Sequence, residues 1–282
     1  MRCLSFSLAA VLCLSLLTYN ANAAILLNEI TMNSENDAPS GGDEGTEYFE
    51  ILSTVGAESL SGLTFLVIEG DGSAAGTIDQ ALSLSGFSTG TNGLFLWRDT
   101  SAVLLPAPEA ATVVNVADFS PDIENGSGTF AIVSGFTGSV GDDLDADNDG
   151  VFDAALPWAS VLDAVSNRDS SSDAAYAAQM IPGATEFPGI SFAPDSLVRL
   201  ANTGQWIGVD IDEDNSGFPG PYPFDDTQSV FSDGTAFTPS TALTFNFRTP
   251  GGANPSLIPE PASLTLLCVC GMMVLNGRRY QG

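Results

Sequence analysis

The sequence predicts a mainly β chain: a β-sandwich with long loop insertions, followed by a C-terminal hydrophobic helix. Two observations predict the sandwich. Short apolar runs rich in β-branched and aromatic residues alternate with clusters of Gly, Asn, Asp and Ser. Few stretches sustain a helical period. A third observation, the mainly apolar stretch from Ala262 to Leu275, predicts the helix. The span from Ala24 to Ile258 is 235 residues, a length one β domain can have. Its aliphatic and aromatic content suffices for a substantial core, so global disorder is not expected despite the charge.

In chain order, the first 23 residues read as a secretory signal. Arg2 is their only charge, an apolar run follows from Leu4 to Leu17, and Ala21-Asn22-Ala23 is a small-x-small cleavage site. That run is short for a spanning helix, which needs ~20 residues. Cleavage between Ala23 and Ala24 is expected, so the passenger starts at Ala24. Strands are then expected at 25–30, 48–52, 63–68, 94–97 and 112–116. Further strands are expected at 129–133, 161–165, 196–200 and 243–247. The Ala-rich stretch Asp173 to Gln179 suits a short helix with an acidic start. The domain is expected to close by residue 255, and Ser256 to Ile258 to join it to the tail.

The tail has three parts in fixed order: Pro259-Glu260-Pro261, the apolar stretch, and Arg278-Arg279. A short transmembrane segment is expected at about 262–277, with the two arginines on the cytoplasmic side. This arrangement, Pro259, Glu260, Pro261, Ala262, Ser263, apolar run and Arg278-Arg279, resembles the PEP-CTERM sorting signal of Gram-negative bacteria. The resemblance covers about the last 25 residues. It implies recognition by an exosortase, cleavage near the Pro-Glu-Pro motif, and a destination at the cell surface, outer membrane or extracellular matrix. The precursor would sit in the inner membrane after passing the secretion machinery.

A second resemblance is scattered over most of the passenger. Asn28-Glu29, Glu47-Tyr48-Phe49-Glu50-Ile51 and Leu60-Ser61-Gly62-Leu63 resemble the opening of a lamin-tail-type domain, with Leu63 where that family usually has Trp. Val198-Arg199-Leu200 and Thr249-Pro250-Gly251-Gly252-Ala253-Asn254 resemble later and closing pieces of bacterial members. The resemblance implies an immunoglobulin-like fold and a binding or adaptor module, with no catalytic residues.

Composition narrows the chemistry. The chain has seven basic residues, 35 acids and no histidine. All seven bases are arginine, and three of them, Arg2, Arg278 and Arg279, lie in the end segments. Glu260 is the sole acid outside Ala24–Ile258, which leaves 34 acids against four arginines there, a net charge of −30. Such a passenger should repel nucleic acid, whose binding needs Lys and Arg against phosphates. It should attract cations and stay soluble. The four cysteines, Cys3, Cys13, Cys268 and Cys270, all lie in the end segments. The passenger therefore has no disulfide, no thiolate nucleophile and no Cys/His zinc site. Without histidine it has no Ser-His-Asp arrangement. Carboxylate-only chemistry survives that inventory.

One loop carries a ligand pattern. Asp145-Ala146-Asp147-Asn148-Asp149-Gly150-Val151-Phe152-Asp153 reads D-x-D-x-D-G-x-x-D. Carboxylates at positions 1, 3, 5 and 9 can surround one hard cation, a backbone carbonyl from Val151 can supply position 7, and the glycine permits the sharp turn. Leu156 stands where an EF-hand has its bidentate glutamate. The expectation is a structural calcium loop inserted between strands, with Asp145, Asp147, Asp149, Val151 and Asp153 as ligands; the alternative is a solvated acidic turn. A second acidic run, Asp210 to Gly217, fits the pattern less well because its glycine comes late.

The expected function is an exported, exosortase-sorted surface or matrix protein with a non-catalytic structural or interaction domain, its partner a surface polysaccharide or protein. The competing expectation is a carbohydrate-binding module or carboxylate-based glycoside hydrolase. In that case Trp97, Trp206, Tyr222 and Tyr48 would supply stacking faces in an exposed groove.

Overall fold

The computed structural model describes residues 24–33, 47–102, 104, 106–189, 192–210, 229–238, 242–243 and 247–258. The signal residues up to Ala23, the second acidic run from Ile211 on, Tyr222, and the tail with Pro259, Glu260, Pro261, Arg278 and Arg279 lie outside them. So does the expected C-terminal helix. Among the described residues, no helix is long and apolar enough to cross a membrane.

The described chain is mainly β, in two mixed sheets. The strands are β1 (Ile25–Thr31), β2 (Tyr48–Ser53), β3 (Leu63–Glu69), β4 (Ile78–Ser83), β5 (Leu94–Arg98) and β6 (Val113–Val116). They continue with β7 (Gly128–Ser134), β8 (Ser160–Arg168), β9 (Thr185–Gly189), β10 (Ser196–Arg199), β11 (Trp206–Val209) and β12 (Val230–Phe231). One sheet has seven strands in the order β12-β11-β10-β1-β2-β5-β6, and the other five in the order β4-β3-β7-β8-β9. All pairs are antiparallel except β5 with β6 and β8 with β9.

The sheets meet through alternate residues. Phe49 and Phe95 of the first sheet share a core with Phe65, Phe130 and Val165 of the second. The Phe49 and Phe65 rings stack at 3.8 Å. A bulge between Leu27 and Glu29 shifts the β1 alternation, so that Leu27 and Ile30 both reach this core. A polar tie also crosses the sandwich: Asp163 of β8 accepts from the Leu27 amide at 2.8 Å and from Arg199 of β10 at 2.5 Å.

Both outer faces are also covered, which is why several strands read as unbroken apolar runs instead of alternating ones. On the five-stranded sheet, Leu66, Ile68, Ala131, Val133 and Ala164 pack under Tyr176 and the short helix α1 (Ala177–Met180). The β7–β8 connection adds Phe152 and Trp158 there. On the seven-stranded sheet, Val198, Leu200, Ile207 and Val209 pack under Phe237, Leu243 and Phe247.

Nearly all the expected strands are present. The exception is 243–247, where Leu243 forms an isolated bridge to Leu257 and residues 244–246 lie outside the described set. The helix starts later than expected, at Ala177, because Asp173 is held in the preceding turn, its carboxylate accepting from the Ser170 amide at 3.0 Å.

The two poles of the sandwich differ. The start of β1 and the C-terminal exit share one pole, where Leu26, Ala201 and Asn254 line a common cleft and Ala201 donates to the Pro255 carbonyl. At the other pole, Asn125 bonds Asp195, joining the Gly128 end of β7 to the Thr31 end of β1.

Candidate functional site

The D-x-D-x-D-G loop lies within the β7–β8 connection. Asp145 opens it and is fully buried, although Asp147 and Asp149 are exposed. The burial has a local cause. Gly76, at φ +87°, runs so close that an added Cβ would sit 2.5 Å from the Asp145 Cβ. The Tyr176 hydroxyl, on the same outer sheet face, donates to Asp145 Oδ2 at 2.7 Å. Two amides of the loop fix the same carboxylate: Asp149 N donates to Oδ1 at 3.1 Å and Gly150 N to Oδ2 at 2.8 Å. Asn148 and Gly150 both take left-handed backbone, φ 56° and 84°, which wraps the loop back on Asp145.

The result brings carboxylate oxygens of Asp145, Asp147 and Asp149 within 4.8 Å of one another. Asp153 is not in that group; its amide donates to the Leu144 carbonyl at 2.8 Å and closes the loop base. Val151 is 55 % exposed. The geometry thus gathers three of the five expected ligand residues. The carboxylates repel one another: the neighbouring Asp149 charge, then burial and Asp153, raise the Asp147 pKa. The burial of Tyr176 and its bond to Asp145 push the Tyr176 phenol well up. As a cation site the loop offers three carboxylates and leaves the remaining oxygens to carbonyls and water, a donor set that suits a hard ion.

Sequence reasoning missed a second acidic group because its members are dispersed. Asp71 follows β3, while Asp169 and Asp173 follow β8, and their oxygens converge within 4.8 Å. Ser127 sits at their centre, its Oγ 3.0 Å from Asp169 Oδ1 and 2.7 Å from Asp173 Oδ2. A cleft of about 270 Å³ separates this group from the Asp145 loop, lined by Gly72, Ala75, Asn148, Asp149 and Asp173. A third group, Glu47, Asp99 and Asp122, lies at the ends of β2 and β5.

Also missed was a buried polar network that unites the residues of the lamin-tail-type resemblance. Asn28 Nδ2 donates to Glu50 Oε1 at 2.5 Å and to Asn254 Oδ1 at 2.9 Å. Asn254 Nδ2 donates to the carbonyls of Asn28 at 2.9 Å and Arg199 at 2.8 Å. Glu29 accepts from the Tyr48 hydroxyl and from the Thr249 amide, and Glu50 Oε2 accepts from the Gly251 amide at 2.6 Å. Arg248, fully buried, donates to the Tyr48 hydroxyl at 3.2 Å. These bonds clasp residues 248–254 onto β1 and β2. The signal available in the sequence was the polar residues Asn28, Glu29 and Glu50 inside strands that otherwise read as apolar.

Burial raises the carboxyls of this interior. Glu29 is pushed up to about 7 and Glu50 well above its ordinary value. At the opposite pole burial pushes Glu69 up to about 8, and Asp79 beside it is raised for the same reason. A raised folded-state pKa means the folded chain holds the proton more tightly than the unfolded one. That stabilisation is full below about pH 4.5 and is lost as pH rises through about 7 for Glu29 and about 8 for Glu69. The domain is therefore expected to melt at a higher temperature at pH 5 than at pH 9. Glu69→Gln should flatten that slope; thermal melts across the range that show the same slope in both proteins would rule out the assignment to Glu69.

Among the described residues, the expected sugar-stacking faces are not available. Tyr48, Trp97 and Trp206 are buried. Trp97 packs on Phe49 and Phe119, and Trp206 lies under Arg199, 4.6 Å from its ring centroid. A cleft of about 360 Å³ on the outer face of the seven-stranded sheet has an aliphatic floor of Leu26, Leu52, Leu94 and Leu200, with Glu109 at its rim. Compared with protein-family models, with curated proteins and with solved structures, the chain matches none.

Proposed function

We propose that this chain is an exported protein, sorted to the cell surface or extracellular matrix through its tail. Its passenger is a non-catalytic, immunoglobulin-like structural or interaction module of the lamin-tail type, stiffened by calcium. The observation that carries the passenger's reading is the convergence of Asp145, Asp147 and Asp149 on one loop that the backbone holds in place. Asp145 anchors the loop, and Asp147 and Asp149 would complete the charge around the ion. A divalent cation there would supply positive charge alone; it would relieve the repulsion that raises Asp147 and pin the β7–β8 connection to the outer sheet face. The buried network supports the lamin-tail-type reading, because the resembling residues of β1, β2 and segment 249–254 meet in it. Support for export and sorting comes from the order of parts at both ends of the sequence.

Calorimetric melting of the passenger with millimolar calcium and with chelator tests the loop. A rise of several degrees with calcium is expected, since a ligand that binds only the folded state stabilises it by mass action. Asp147→Asn should reduce the rise, with little effect on the melting temperature in chelator. A melting temperature that calcium leaves unchanged within a degree would sink the proposal.

A further inference from the structure

A row of leucines crosses the outer face of the seven-stranded sheet. Leu26 of β1 stands opposite Leu52 of β2, and Leu52 opposite Leu94 of β5. With Leu200, just past β10, they floor the cleft of about 360 Å³. That volume falls in the range of small-molecule sites, about 300–1,000 Å³. Four adjacent strands contribute, so the row is about 14 Å long at the usual strand spacing. The polar side chains around this floor decide what charge an occupant can carry. Both Asn28 amide hydrogens go to Glu50 and Asn254, and both of Asn254 go to the carbonyls of Asn28 and Arg199. Asn92 Nδ2 bonds Thr112 Oγ1 at 2.8 Å, and Arg199 spends its charge on Asp163. The lining therefore has no spare side-chain amide donor. It does have a spare acceptor. Glu109 is exposed at the rim, and among the described residues its carboxylate has one hydrogen bond, a long contact of 3.4 Å from Asn92 Nδ2. Its charge also reaches the buried Glu50 and helps to raise that carboxyl.

From this geometry we infer that the cleft is a binding site for a cationic amphiphile, a linear aliphatic amine with its ammonium on Glu109 and its alkyl chain along the leucine row. An ammonium presents only donors, which suits a rim whose open group is a carboxylate. An alkyl chain of roughly ten carbons covers the length of the row. An anionic amphiphile would meet Glu109 head on, on a passenger whose net charge is already −30. No aromatic side chain lines the cleft, so a flat ring or a sugar face finds nothing to stack on. A second copy of the chain does not fit either. The chain has no lysine, and each arginine among the described residues is bonded within its own fold. Arg98 donates to the Ala102 carbonyl, Arg168 to the Phe187 carbonyl, Arg199 to Asp163 and Arg248 to Tyr48. The site involves neither the Asp145 loop nor the tail.

Calorimetric titration of the purified full chain with n-decylammonium, n-decanol and n-decanoate, each below its micellar concentration, tests the site. The amine should bind at a single site, and decanoate at least about tenfold more weakly. Glu109→Gln should weaken the amine about tenfold, through loss of one charge-assisted contact. Glu124→Gln removes the same charge beside Asn125, at the opposite pole, and should leave amine binding within about twofold. Ala201→Trp puts a ring into the cleft from an exposed position and should abolish binding, with a thermal melt to show that the variant folds. Ala253→Trp, exposed in the same lining, repeats the test if the first variant does not fold. Decanoate binding as tightly as the amine overturns the inference, as do equal effects of Glu109→Gln and Glu124→Gln, or binding that survives the tryptophan. So does an absence of binding, the result expected if the apolar tail already fills the cleft. Tighter binding of a leucine-rich peptide bearing one lysine would assign the cleft to a protein partner, and it too overturns the inference.

Discussion

Replacing Asn254 with alanine is expected to cost the domain about 3–5 kcal/mol and to lower its melting temperature by roughly 10 °C. The side chain closes a circuit. Its oxygen accepts from Asn28 Nδ2 at 2.9 Å and from Thr249 Oγ1 at 3.1 Å, while its amide group donates to two carbonyls. Asn28 and Thr249 are themselves buried. Truncation would take the Asn254 donors from the carbonyls of Asn28 and Arg199 and one partner each from Asn28 Nδ2 and Thr249 Oγ1, which keep Glu50 and Glu29, where water does not reach. Leaving such groups unsatisfied costs more than the bonds contribute net. Asn254→Asp should be no milder, because it places a carboxylate oxygen against the same two carbonyls. Thermal melts of both variants beside the wild type decide the matter; a loss of less than a degree or two would mean the network is not rigid.

Phe49→Ala should destabilise by about 3–5 kcal/mol, the range for removing a buried aromatic ring from a packed core. Phe49 stacks on Phe65 of the opposite sheet and faces Trp97 at 6.0 Å and Phe119 at 6.2 Å. It is the point where the sheets touch ring to ring. Loss of the ring leaves a void that neighbours on two sheets fill only in part. Phe49→Leu should cost about a third as much, since most of the volume is kept. Denaturant unfolding measures both; equal midpoints for the two variants would contradict a cavity mechanism.

The sequence revealed those strands whose apolar residues face the core or lie under covering loops on both sides. It concealed the strands whose burial comes from elsewhere. Ile78–Ser83 carries Asp79 and Gln80, and reads as a loop, yet Gln80 is buried because its amide donates to the Pro121 carbonyl. Thr185–Gly189 holds Pro188 and pairs as a parallel edge strand, the place a proline is tolerated. Trp206–Val209 shows no strand signal of its own, and Trp206, a stacking face in the carbohydrate alternative, is a buried strand residue against Arg199. The acidic loop was visible because its ligands and glycine are local. The Asp71, Asp169, Asp173 group was not, since only the fold brings β3 and β8 together. The closing network lies between these cases. Its members were apparent as separate pieces, and only the bulge after Leu27 and the return of 248–254 make them one unit.

The arrangement of the two poles has a consequence for posture. Chain entry at Ala24 and exit at Ile258 share one pole, while the Asp71, Asp169, Asp173 group and the Asp145 loop beside it gather toward the other. In the tail-anchored precursor proposed above, repulsion between these far carboxylates and an anionic surface would favour an upright passenger, most strongly in low salt, where the field reaches furthest.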